Sequence, residues 1–480
     1  MRVFCSIIFI ALSAVAIGQT AFVRTYGMAN AFNEGKGIVA FSDSTYILLG
    51  NRLTTGGESS AWLFRVDSAG AIMWEKYFDS YSLSTCENLS RHDDTSVVVA
   101  GTALIGNDYQ MLVARVGKSG TVIWEKIYGT DVWDQGLCAA SDKNGNVYLT
   151  GYGQAIDTLN QDILLYKLDG NTGDSLTSKR FDDGFNDKGV YIDTITGGDL
   201  VMASHSMNNQ NETDHSNIWR LTSDLDTVWT SRPGYQDPSA SVRITECLFE
   251  DTYSRIVFSG EILPDTGVFY RFWYGCLEMN GSLNFEHVFA PYYLKNIRRG
   301  LCDTAGLYYF TGGIFDYYFG YGNSDIGLWR DSMGWFNNYY YGALQDEEGM
   351  DLDLTPDGGL AFIGTTKNYG PGVNNIFFVK IGPDLGYNDS NPVHYTPAQS
   401  YENADTRIYP NPSNGSFRID LPETSRCRID VFDLQGLHVA SDNYFPGEPF
   451  ILDGFNDGIY LIKITSGTQS YNFRLLLQQD

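Results

Sequence analysis

The chain is short of histidine, cysteine, proline and positive charge, and after its first residues it has no long apolar run. Six histidines are scattered as His92, His205, His215, His287, His394 and His438. None falls into an H-E-x-x-H or H-x-H spacing, so the helical two-histidine metallohydrolase pattern is missing. Seven cysteines form no C-x-x-C pair, which removes the usual structural zinc spacing. Fourteen prolines stand against 51 glycines, a balance that suits many tight turns. Lysine and arginine number 32 against 58 acids, for a net charge of −26. Such a surface repels nucleic acid and anionic lipid, and neither is expected as a partner.

The one apolar run is N-terminal. Arg2 precedes a largely apolar run of 14 residues, Val3 to Ala16, and Ala16-Ile17-Gly18 is a small-x-small cleavage site. Residues 1–18 read as a secretory signal, too short to span a bilayer comfortably. No transmembrane segment is expected once it is removed. Cys5 leaves with the signal. Of the other cysteines, Cys86, Cys138, Cys247 and Cys302 recur at one point of an internal repeat, while Cys276 and Cys427 stand apart. Small residues replace them in other copies, so buried free thiols are expected rather than bridges.

What is abundant is aromatic residues, 14% of the chain, in a pattern that repeats. The clearest unit is Trp62-Leu-Phe-Arg-Val-Asp67-Ser-Ala-Gly70-Ala-Ile-Met-Trp74-Glu-Lys-Tyr77. It returns as Met111-Leu-Val-Ala-Arg-Val-Gly-Lys-Ser-Gly120-Thr-Val-Ile-Trp124-Glu-Lys-Ile-Tyr128-Gly129. A second marker is an apolar strand ending in a small residue, at Gly50, Gly101, Gly151, Ser204, Gly260, Gly312 and Gly364. The intervals are 51, 50, 53, 56, 52 and 52 residues. Each unit reads as four strands joined by short turns such as Asp142-Lys-Asn-Gly145. Four-stranded antiparallel units of this length, repeated, predict a β-propeller. The seventh unit stops after three strands. Phe22-Val-Arg-Thr-Tyr-Gly27 matches Trp124-Glu-Lys-Ile-Tyr-Gly129 and is expected to supply the missing strand, closing seven blades.

From Pro383 the pattern changes. The expected domains are a signal over 1–18, a seven-bladed propeller over 19–382, a linker over 383–405 and a small β-sandwich over 406–480. The last segment carries Tyr409-Pro410-Asn411-Pro412, Asn414-Gly415, Asp433-Leu-Gln-Gly436 and Gly458-Ile459-Tyr460. These residues resemble the type A C-terminal sorting domain of the Bacteroidetes type IX secretion system. The resemblance implies an immunoglobulin-like sandwich, the type IX machinery as a partner, and export to the outer cell surface or the medium. The repeats resemble propeller repeats of secreted bacterial proteins, with Asp-x-x-Gly turns and a Trp-x-x-x-Tyr-Gly ending. Triplets such as Asp67-Ser-Ala, Asp193-Thr-Ile and Asp226-Thr-Val are similar to the Bacteroidetes O-glycosylation triplet, and most are expected in accessible turns.

Candidate chemistry is sparse. Gly173-Asp-Ser-Leu176 spells an esterase signature, but it falls where Gly70 and Gly120 mark hairpin turns, and a hairpin is expected. Acids recur at the start of the first strand: Asp134, Asp187 and Glu347. They are expected at the mouth of the central tunnel, where they can cap their own turns, bind Ca²⁺ or act as an acid–base pair. No other cofactor or metal is expected. Long loops gather on one face, where binding usually lives. Trp133 and the loop Phe315-Asp316-Tyr317-Tyr318-Phe319-Gly320-Tyr321 are the candidate ligand contacts, by stacking on sugar or peptide. The expected function is a non-enzymatic binding or adhesion module for a surface glycan or protein; the alternative is a propeller hydrolase acting on extracellular glycans.

Overall fold

The computed structural model describes residues 21–480, apart from 130–132, 155–159, 183, 209–212, 235–240, 264–270, 290–293, 304, 316–323, 333–334, 343–344, 384, 386–392, 396–406, 412, 422–425, 433–437, 453, 467–468 and 479–480. The signal segment therefore lies outside the described residues. The chain forms two compact units, 1–396 and 397–480. Both are built of strands, and no helix occurs among the described residues.

The first unit is a propeller-like ring of antiparallel sheets. Six sheets have four strands each, in sequence order. Their first strands are Ala31–Ala40, Leu83–Asp93, Asp134–Ser141, Asn186–Thr194, Ser241–Glu250 and Leu294–Cys302. The seventh sheet begins with Glu347–Leu354 and continues through Leu360–Thr366 and Asn375–Ile381. Its fourth strand is the N-terminal Phe22–Tyr26, antiparallel to Asn375–Ile381 with Thr25 opposite Phe377. A fifth, Val393–Tyr395, runs parallel to Phe22–Tyr26 and comes from the segment expected to be linker. The seventh and first sheets touch: Ile38 N–H donates to Asp351 Oδ2 at 2.9 Å, and Ala40 N–H to Asp353 Oδ2 at 2.8 Å.

Second strands such as Ser96–Ile105 are buried from Ser96 to Ala103, which explains their near-continuous apolar runs. Both faces are covered by neighbouring sheets. The small residue that ends each run has a steric cause. A Cβ on Gly101, Gly151, Gly260, Gly312 or Gly364 would fall 1.9–2.2 Å from the carbonyl oxygen of a first-strand residue.

The Trp and Arg of the repeat tie one sheet to the next at the outer rim. Arg65 and the Trp74 indole both donate to the Lys118 carbonyl, at 3.1 and 2.9 Å. Arg115 and Trp124 share the Gly170 carbonyl at 2.9 and 2.7 Å, and Arg220 and Trp229 share that of Met279 at 2.8 and 3.0 Å. Each accepting carbonyl sits in the next sheet's last hairpin turn. The turn glycines Gly120, Gly173 and Gly281 have φ between +74° and +88° and lie against the indole faces. At ring closure Arg24 and Tyr26 take this part, donating to Ala69 and Gly70 at 2.8 and 2.7 Å. Between the third and fourth sheets Lys167 and Lys179 pair with Asp224 and Asp226 instead.

The cysteines from Cys86 onward are free, and all but Cys302 are buried. Gly173 to Leu176 lies in the hairpin between the third sheet's last two strands, with Gly173 N–H on the Asp169 carbonyl at 2.7 Å. Asp193 is not in an accessible turn: it is partly buried, and its Oδ2 accepts Phe249 N–H at 3.4 Å from the next sheet.

The described residues of the second unit form seven strands. Arg407–Tyr409, Ser416–Asp420 and Phe450–Ile451 form one sheet; His438–Tyr444, Cys427–Phe432, Gly458–Ser466 and Gln469–Leu477 form another. Phe417, Ile419, Ile429, Val431, Ile462, Ile464 and Leu475 make its core. Buried Tyr444 joins the two sheets, its hydroxyl accepting Ile419 N–H at 2.7 Å and donating to Ile419 O at 3.1 Å.

Candidate functional site at the central tunnel

The first strands of all seven sheets meet around a central cavity of about 290 Å³. A β-bulge in every first strand shapes its wall. Lys36, Glu87, Leu137, Val190, Thr245, Arg298 and Met350 each lie between two paired residues and have no partner opposite. All seven line the cavity. A bulge breaks the period-two alternation of a strand and re-aims a side chain. Successive residues Arg298 and Arg299 therefore both reach the tunnel.

Towards one end, charges of both signs pair off. Lys36 lies 3.0 Å from Glu87 and 3.7 Å from Glu34. Glu348 accepts from Lys295 at 2.8 Å, Asn296 at 2.8 Å and Arg298 at 2.6 Å. Burial alone would raise the Glu348 carboxyl, but Arg298 and Lys295 outweigh it and hold it at about 2.

Further along, Arg299 is largely buried between Asp351, 4.0 Å away, and the ring of Tyr191, 4.7 Å from its guanidinium carbon. Burial pushes Glu246 up to about 8, against the pull of Arg299 and the Gly300 N–H that it accepts. It pushes Asp351 up to about 7, against Arg299 and the N–H groups of Ile38 and Leu352. These groups line a cavity of about 250 Å³. The carboxylates also join sheets: Glu246, Asp351 and Asp353 each accept a first-strand N–H of the following sheet. Asn88 does the same for Ala139 at 3.0 Å.

The three acids expected at the tunnel mouth stand at the start of their first strands, and Glu347 lines the cavity between the sixth, seventh and first sheets. Asp134, Asp187 and Glu347 are at most 1% exposed. Glu347 accepts from Thr366 Oγ1 at 2.6 Å. The Asp134 carboxylate occupies space that a Cβ on Gly129 or Gly153 would need, 2.4 and 2.1 Å away. Gly129 is the glycine of the Tyr-Gly ending, and Gly342 stands in the same relation to Glu347. At the equivalent position of the first sheet stands buried Asn33, and of the second Ser84, which accepts Ala61 N–H and donates to Phe78 O. A buried polar residue thus stands at this position in five of the sheets, while the fifth has Val242 there. For Asp134 and Glu347 the physical reason is packing: the preceding strand's Tyr-Gly turn lies against the carboxyl.

Of the aromatic candidates, Trp133 is 49% exposed and stacks on Tyr109 with ring centroids 5.2 Å apart. Phe315 ends the strand Tyr308–Phe315, and its side chain is not described. Asp316, Tyr317, Tyr318 and Tyr321 lie outside the described residues. Among the described residues no group of three or more His, Cys, Asp or Glu is placed to hold a metal ion. No described helix is long and apolar enough to cross a membrane.

In the second unit, Tyr409 donates from its hydroxyl to Asp420 Oδ1 at 3.1 Å, and Tyr460 to the Asn456 carbonyl at 2.9 Å. Pro410 and Asn411 follow Tyr409 in a bend, and Pro412 lies outside the described residues. Gly415 has φ +112°; its carbonyl accepts Leu452 N–H at 2.7 Å, while neighbouring Ser413 accepts Gln478 N–H at 2.8 Å. Gly458 opens the strand that carries Tyr460. The motif residues thus lie where the opening turn is pinned to later strands.

Residues 407–478 match the family model described as a secretion system C-terminal sorting domain. Such a domain implies that the protein is exported. No curated protein matches the chain. Among solved structures, the β-propeller domain of the trilobed protease from Pyrococcus furiosus is similar, at 10% identity and a TM-score of 0.43. The alignment covers 78% of this chain and 98% of that one. Pyrococcus horikoshii acylaminoacyl peptidase is similar at 10% identity and a TM-score of 0.40, over 73% of this chain and 50% of that one. Likenesses this distant carry no information on activity.

Proposed function

We propose that this chain is a secreted binding module. Its 19–382 segment acts as a seven-bladed β-propeller, and its 406–480 segment as an immunoglobulin-like domain that addresses it to the type IX secretion system of a Bacteroidetes cell. A signal over 1–18 takes it to the periplasm, and the C-terminal domain then takes it to the outer surface or medium. There it holds a surface glycan or protein through the loop face and tunnel, with Trp133 and the 315–321 loop as aromatic contacts.

One observation carries the binding reading. The carboxylates described around the tunnel are engaged by a cation, a backbone N–H or a hydroxyl, as Glu348 is by Lys295 and Arg298 and Glu347 by Thr366. A glycan hydrolase needs one carboxyl able to give a proton and another able to take one. The hydrolase alternative draws on a different observation: Glu246 and Asp351 share Arg299 in one cavity, with carboxyls raised towards neutrality. Purified chain incubated with surface glycans separates the two. Binding without release of reducing ends supports the module, whereas turnover abolished by E246Q/D351N establishes the hydrolase. For export, deleting 406–480 should leave the remaining chain in the periplasm. Normal levels of that truncated chain in the medium would overturn the sorting assignment.

A further inference from the structure

The end of the tunnel between the sixth, seventh and first sheets opens into a cavity of about 270 Å³. Its cations are Lys36, Lys295, Arg298 and Lys367, and each already faces a carboxylate. Lys295 and Arg298 hold Glu348, Lys367 holds Asp346 at 2.7 Å, and Lys36 lies between Glu34 and Glu87. A charged ligand would have to separate one of these pairs and leave its other half uncompensated, at a desolvation cost. A neutral ligand rich in hydroxyls has no such cost. Each hydroxyl can donate to a carboxylate and accept from an ammonium or guanidinium, bridging a pair that stays in place. Met350, the bulge residue of the seventh sheet, supplies an apolar, adaptable patch in the same cavity. Asn374 lines it as well. It is 9% exposed, and its Oδ1 has no hydrogen-bond partner among the described residues. A buried acceptor left open is expected to be satisfied by something not yet in view.

We propose that this cavity binds one neutral saccharide residue, its hydroxyls bridging the Glu348–Arg298 and Asp346–Lys367 pairs and its C–H face on Met350. The proposal rests on the binding-module reading and narrows it to a ligand class and a place. The cavity suits one ring, so a polymer would be gripped by a terminal or side-branch sugar.

The test is equilibrium binding to the whole chain, by saturation-transfer NMR and calorimetry. Neutral probes are the methyl glycosides of glucose, galactose and mannose; charged counterparts are glucuronate and glucosamine. At least one neutral glycoside should bind with an affinity that hardly changes between low and high salt, since no net charge is neutralised. Arg298→Ala and Glu348→Gln should each weaken it about tenfold or more, the scale of a lost charge-assisted hydrogen bond. Met350→Ala and Lys367→Ala leave the Glu348 cluster intact, so they serve where those variants fail to fold; each should weaken binding several-fold. Binding of the charged sugars alone, falling as salt rises, would overturn the proposal. So would neutral binding indifferent to both Met350→Ala and Lys367→Ala. Capture of a surface polymer or protein with no neutral glycoside bound sinks this site and leaves the module reading standing. No binding of any of these sinks both.

Discussion

The ring of sheets is held together twice, and the two sets of ties differ in kind. At the outer rim an indole N–H and a guanidinium share a neutral carbonyl, as Trp124 and Arg115 share that of Gly170. Around the tunnel, carboxylates accept first-strand N–H groups of the next sheet, as Asp351 accepts Ile38. The rim ties have no group that titrates near neutrality. The inner ties place Asp193, Glu246, Asp351 and Asp353 where burial raises each carboxyl, to between about 6 and about 8. The rim is also modular, since each tie is made by a motif within one repeat. The inner network is not, because Arg299 of one sheet serves carboxylates of two others.

Four experiments break or sharpen that contrast. The largest effect is expected from deleting residues 19–27. This removes the seventh sheet's fourth strand together with the Arg24 and Tyr26 ties. It also bares the fully buried strand Asn375–Ile381. Exposed strand edges associate, so aggregation or loss of the cooperative melt is expected by size-exclusion and calorimetry. A melting temperature equal to the parent's would refute ring closure by the N-terminal strand.

Next comes Arg299→Ala. It leaves Glu246 and Asp351 buried without their shared cation, for a cost of about 3–5 kcal/mol. The loss in denaturant melts should be greater at pH 8 than at pH 5, because protonated carboxyls need no counter-charge. Equal losses at both pH values would mean that Arg299 acts through packing alone.

The third is the pH profile of the parent. A carboxyl with a raised folded pKa binds its proton more tightly folded than unfolded. Its contribution is fully present below about pH 4 and is lost as pH rises through the folded value. The inner carboxyls therefore predict a melting temperature that falls by several degrees from pH 5 to pH 8, steepest between about 5 and 6, where all four are protonated folded and ionised unfolded, and levelling off towards 8. Glu348, Asp43 and Asp93, held at about 2, act in the opposite sense and set an acid limb below about pH 4. Glu246→Gln should flatten the limb above pH 6. A profile flat from 5 to 8 would place these carboxyls in water.

The smallest effect belongs to the rim. Trp124→Phe removes one donor and keeps Arg115 on the same carbonyl, so a cost of about 1 kcal/mol is expected, with no dependence on pH. Combined with Arg115→Ala, which strips the second donor, the loss should exceed the sum of the single losses. Simple additivity would show that the two donors are not alternatives.

The rim was legible from the amino-acid order because it repeats. Trp74, Trp124 and Trp229 recur with their turn glycines, and the N-terminal strand could be matched to the missing one through Tyr26-Gly27. The inner network was not legible. Its residues come from different repeats and are chemically unlike at equivalent positions, such as Asn88, Cys138, Tyr191, Glu246, Arg299 and Asp351. A bulge shifts each by one residue from where plain alternation would point it. The available signal was charge inside an apolar strand: Arg298-Arg299 and Asp351-Leu-Asp353 are conspicuous there. Asp134, Asp187 and Glu347 drew the eye because they repeat, and the same repetition marks them as parts of the frame. In the C-terminal unit, Gly415 was readable because it sits at a turn whose positive φ restricts the choice of residue, and Tyr409 and Tyr460 because they stand in motifs at strand ends.

The seven bulge positions have one more consequence. A residue with nothing opposite it in the ladder answers to no pairing rule, and here the seven are Lys, Glu, Leu, Val, Thr, Arg and Met, with no type used twice. The flanking positions are held by Gly, by strand burial or by ties to the next sheet. The lining of the tunnel can therefore drift, one sheet at a time, while the frame stays put. A combinatorial library confined to these seven sites would sample many ligand chemistries at small risk to folding, much as variable loops do on an antibody scaffold.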